Sequence, residues 1–96
     1  MDLKKIRKLR DEIQRMRRRG GLRPAELENL ARSVGRVRHK RGKEPSWVST
    51  VFLGAPPVSI PNHPGDLSKY TARSILNELE ADLDRFDSVA EEDQDE

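Results

Sequence analysis

The residues with most chemistry to offer are two histidines and a cluster of arginines. His39 stands near a glycine-bearing loop, and His63 sits between Asn62 and Pro64 in a turn. An imidazole near its ordinary pKa can accept or donate a proton at neutral pH, so both are candidates for proton transfer. The turn context points His63 instead to satisfying backbone groups, and Asp66 to binding the amides that open the following helix. The chain has no cysteine, which removes thiolate nucleophiles, thiolate metal ligands and disulfides. Two histidines this far apart, with no acidic cluster at ligand spacing, give no metal site. Arg17, Arg18 and Arg19 are consecutive, and guanidiniums are suited to phosphate oxygens.

The distribution of charge supports a polyanionic partner. The formal net charge is only +2, yet residues 1–48 hold sixteen Lys or Arg against six Asp or Glu, and residues 78–96 hold ten acids against Arg85 alone. Such asymmetry suits a basic surface for nucleic acid and an acidic tail that competes for it. Ninety-six residues with 33% hydrophobic and 38% charged content fit one domain with a modest core, which excludes a long buried cleft. No apolar run of signal-peptide or membrane length follows the basic N-terminus, so a cytoplasmic protein without a membrane partner is expected.

The elements follow from periodicity. Leu3, Ile6, Leu9, Ile13 and Met16 line one face of a helix over residues 1–20, closed by Gly20-Gly21. Its other faces carry nine Lys or Arg, and its apolar face lacks the aromatic anchor of a membrane-surface helix. A second helix is expected from Pro24 to a stop at Gly35. Strands are then expected at 36–41, 47–53 and 58–60, separated by a hairpin loop at 41–45 and a proline turn at 54–57. A last helix, capped by Ser68 or Thr71, carries Ala72, Ile75, Leu76, Leu79, Leu83 and Phe86 at helical spacing. Residues 87–96, nearly all acidic or small, read as a disordered tail. The fold class is α+β, and from Pro24 the order is helix, three antiparallel strands, helix, the order of double-stranded-RNA-binding domains.

The run Ile60-Pro61-Asn62-His63-Pro64-Gly65-Asp66-Leu67, followed by Thr71-Ala72-Arg73-Ser74-Ile75-Leu76, resembles the HicA family of toxins. The short helix ending in Gly35, the stretch from Arg38 to Gly42 and the aromatic Trp47 fall in the same order. The likeness covers about residues 24–83. It implies a small domain of the double-stranded-RNA-binding shape at 24–86 that acts as an mRNA interferase, needs no metal or other cofactor, and is neutralised by a HicB-like antitoxin. The helix at 1–20 and the tail at 87–96 lie outside it.

The family places Ser and the catalytic His after the hairpin Gly, whereas here Gly42 is followed by Lys43 and Glu44. Cleaving RNA without a metal takes a base for the 2′-hydroxyl, an acid for the leaving oxygen, and cations for the charged phosphorane. Glu44 and His39 are the candidates for proton transfer. Arg38, Arg41 and Lys43, with Arg17, Arg18 and Arg19, are the candidates for phosphate. Two readings stand: a HicA-like endoribonuclease toxin that binds and cleaves RNA, and a noncatalytic adaptor that binds nucleic acid or a protein on the same scaffold.

Overall fold

Helix α1 (Leu3–Arg19) starts where the Asp2 carboxylate accepts the Lys5 amide at 2.8 Å, an N-cap that satisfies one of the orphan donors of the first turn. It stops at Gly20, whose φ of 70° breaks the helix while its N–H still reaches the Met16 carbonyl at 3.2 Å. Pro24 opens α2 (Pro24–Ser33). Glu26, one turn in, reaches back to accept the Arg23 amide at 3.0 Å. Past α2, Gly35 at φ 84° swings the chain into the sheet. The computed structural model describes residues 1–39, 45–62 and 64–94, with residues 91–94 described by their backbone only.

Three antiparallel strands follow in the order β1-β2-β3: β1 (Arg36–His39), β2 (Ser46–Ser49) and β3 (Val58–Ser59). Arg36 pairs with Ser49, Arg38 with Trp47, and Trp47 with Val58. The second strand is shorter than the 47–53 expected from its β-branched content. Ser49 ends it by side-chain competition: its Oγ accepts the amides of Val51 and Phe52 at 3.2 and 2.9 Å, which curls the chain out of the ladder. A turn closed by Ala55 N–H on the Phe52 carbonyl then leads to the prolines. The third strand stops one residue short of Ile60, and the first runs to His39, beyond which residues 40–44 lie outside the described residues.

Helix α3 (Lys69–Gln94) is capped by Ser68, whose Oγ accepts the Thr71 amide at 3.2 Å. Asp66 does not take that role; its carboxylate faces the Arg23 guanidinium at 3.8 Å. The helix does not end near Asp87 but continues to Gln94, so the tail expected to be disordered is helical over residues 87–94. Extending a helix already nucleated by packing needs one hydrogen bond per residue fixed, and no Gly or Pro interrupts the stretch. Asp87 also meets Arg10 at 3.5 Å.

One core joins all of this. Ile6, Leu9, Ile13 and Met16 of α1 belong to the same buried cluster as Leu27 and Leu30 of α2, Trp47 and Val58 of the sheet, and Ile75, Leu79 and Leu83 of α3. Helix α3 is the hub, packing against α1, α2 and β3. Among the described residues, no helix is long and apolar enough to cross a membrane.

Candidate nucleic-acid interface

Gly20 and Gly21, both at positive φ, reverse the chain after α1. Antiparallel packing of α1 on α3 sets the C-terminal turn of α1 beside the N-terminal turns of α3. Between them lies an open groove of about 600 Å³. Its floor is apolar, with Met16, Leu22, Leu67 and Leu76 among its lining. Arg17, Arg18, Arg19, Lys69 and Arg73 provide its charge, and the Asp66 carboxylate lies beside Gly21 at its rim.

The five cations are not equivalent. Arg17 is held to α3, donating to Asn77 Oδ1 at 2.8 Å and meeting Glu80 Oε1 at 3.5 Å. Arg19 is paired with Glu26. The carboxyl of Glu26 is held below the ordinary glutamate value, chiefly by the Arg23 amide hydrogen bond and further by Arg19, so this acid stays ionised beside its partner. Arg18, Lys69 and Arg73 are exposed, and none makes an ion pair among the described residues. Three cations with water-filled surroundings on two converging helices form a surface to which a phosphate chain can bind with little desolvation cost.

The other expected phosphate ligands lie elsewhere. Arg38 is exposed on β1, and Arg41 and Lys43 fall outside the described residues. His39 is exposed at the end of β1, and its side chain makes no hydrogen bond among the described residues. Glu44 and His63 also lie outside the described residues. Ile60 N–H donates to the Pro45 carbonyl at 3.3 Å, and Leu67 N–H donates to the Leu22 carbonyl at 2.7 Å. The connection between β3 and α3 is thereby tied to the hairpin on one side and to the groove on the other.

Sequence reasoning missed two features. Lys69 and Arg73 were not singled out as phosphate ligands, although their i, i+4 spacing at the start of a helix puts them on one face. The buried pair of Arg36 and Asp82 was missed as well. The Arg36 guanidinium donates to both Asp82 oxygens, at 2.6 and 3.1 Å, and to the carbonyls of Trp47 and Pro56, both at 2.9 Å. Arg85 adds a contact to Asp82 Oδ1 at 2.6 Å. Both members of the pair have side chains with no solvent exposure, so the pair organises the core and offers nothing to a ligand. Arg32 lies 4.9 Å above the ring of buried Trp47, a cation–π contact that roofs the same region.

No family model, no curated protein and no solved structure matches this chain.

Proposed function

We propose that this chain binds RNA through the groove between α1 and α3, as a HicA-like toxin built on the double-stranded-RNA-binding-domain form of the α+β fold. The observation that carries the reading is the set of exposed cations, Arg18, Lys69 and Arg73, converging on one groove whose lining residues are otherwise apolar or basic. A HicB-like antitoxin is the partner that the resemblance implies. The position of Lys43 and Glu44 where the family has Ser and His favours a second reading beside it, binding without cleavage. In the cleaving form of the proposal, Glu44 and His39 handle the protons and Arg38, Arg41 and Lys43 hold the scissile phosphate, with no metal taking part.

Titrating a labelled RNA with the protein at several salt concentrations tests the binding. Affinity should fall steeply with salt, because each phosphate neutralised releases condensed counterions. Arg18→Ala and Arg73→Ala should each weaken binding to all sequences alike and each reduce the salt slope by about one. An affinity independent of salt would refute the interface. Incubating the same RNA with and without EDTA separates the two readings. Cleavage that survives EDTA and is lost in Glu44→Gln marks the toxin, and intact RNA marks the adaptor.

A further inference from the structure

The chain has four aromatic residues. Trp47 is 1% exposed, and Phe52 and Phe86 meet edge to face with ring centroids 4.7 Å apart. Tyr70 is the exception, 86% exposed in the first turn of α3. No packing or capping role explains it, and several other residue types favour a helix more strongly at an exposed position. Its neighbours make the position informative. Tyr70 precedes Arg73 by three residues, an adjacent place on a helix surface. The ring is not part of the groove's lining; it stands on the neighbouring face of α3, one turn before Arg73, which does line it.

A phosphate chain alone has no use for an aromatic ring; a nucleobase does, because its π face stacks on one. In a duplex the bases are already stacked on each other and present only edges and phosphates to a side chain. A single strand offers both a splayed base and its flanking phosphates. We infer that the groove holds a single-stranded stretch of RNA, with one base stacked on Tyr70 and the adjacent phosphates on Arg18, Lys69 and Arg73. This rests on the RNA-binding reading above and adds to it the class of RNA bound. The charge complementarity of the groove selects a polyanion, and the ring selects one with unpaired bases.

Fluorescence anisotropy with a short labelled RNA of non-self-complementary sequence, alone and annealed to its complement, tests the inference. Tyr70→Ala should weaken binding of the single strand by about 5- to 100-fold and leave the duplex affinity unchanged. Tyr70→Phe, which keeps the π face and removes only the hydroxyl, should bind like the parent protein. The side chain is exposed, so thermal melting of Tyr70→Ala should match the parent and exclude misfolding as the cause of any loss. If Tyr70→Ala binds the single strand as well as the parent does, while Arg18→Ala and Arg73→Ala bind it more weakly, the stacking role is overturned and RNA binding stands. Equal loss for single strand and duplex also overturns it. If the parent protein binds neither RNA, both readings fall, and Tyr70 with its cations becomes a surface for a protein.

Discussion

Arg36 and Asp82 show what a single side chain can commit to. Four hydrogen bonds from the guanidinium reach a carboxylate and two carbonyls in a place without water. Removing one member strands the other as an uncompensated buried charge, so Asp82→Ala should cost about 3–5 kcal/mol, read as a lowered denaturant midpoint. The paired replacement Arg36→Met with Asp82→Leu should cost much less, because neither charge is left behind. A double replacement as damaging as the single one would show that the pair stabilises beyond what its burial costs. Ion pairs open to solvent follow the opposite logic, since those of half-buried Arg10 with Asp84 and Asp87 each contribute about 0–1 kcal/mol. The buried pair was hard to read in the sequence because its members are 46 positions apart and nothing local links them. The one visible hint was Asp82 itself, three residues after Leu79 and next to Leu83, on the stripe that a helix buries.

At the scale of elements, the relation of α1 to α3 decides what the acidic residues can reach. Arg10 meets Asp84 and Asp87, Gln14 meets Glu80, and Arg17 meets Asn77 and Glu80, so the helices run antiparallel. Part of the basic charge of α1 is therefore matched by α3 along its length. The same geometry carries the C-terminal end of α3 to the start of α1, away from the groove at the other end. Deleting residues 88–96 should accordingly leave RNA affinity unchanged at low salt, as measured by the same titration. Tighter binding by the truncated chain at low ionic strength would restore the idea of a competing tail. The helices were legible because their signals are local: Asp2, Pro24 and Ser68 open them, and Gly20 and Gly35 lie at their ends. The end of β2 was not, because Val51 and Phe52 look like strand residues until the Ser49 hydroxyl takes their amides. The groove lay between these cases. Its arginines on α1 were legible, but its other wall required knowing which end of α3 meets α1.

The whole molecule is polarised. The groove occupies the end where the C-terminal turn of α1 meets the first turns of α3, and the other ends of these two helices lie away from it. That end presents exposed cations from α1 and α3, Arg18, Lys69 and Arg73. The groove and the Arg36–Asp82 pair are built from different residues, which is why Arg18 can be altered without touching the pair.

The pairing of α1 with α3 also sets a schedule for the newborn chain. The contacts that hold the first helix come from residues 60 to 77 positions later. During synthesis, Ile6, Leu9, Ile13 and Met16 leave the ribosome well before α3 and wait without that partner until most of it has emerged. Closing a loop of that size comes late and is favoured only once the last helix can dock. A chain stopped at residue 68 should show no cooperative thermal transition by circular dichroism, whereas the chain carrying α3 should melt in one step. Sharp melting of the shortened chain would mean that the first helix and the sheet can stabilise each other without the hub. Until α3 docks, the two walls of the groove do not face each other, so the groove itself forms only with that last packing step.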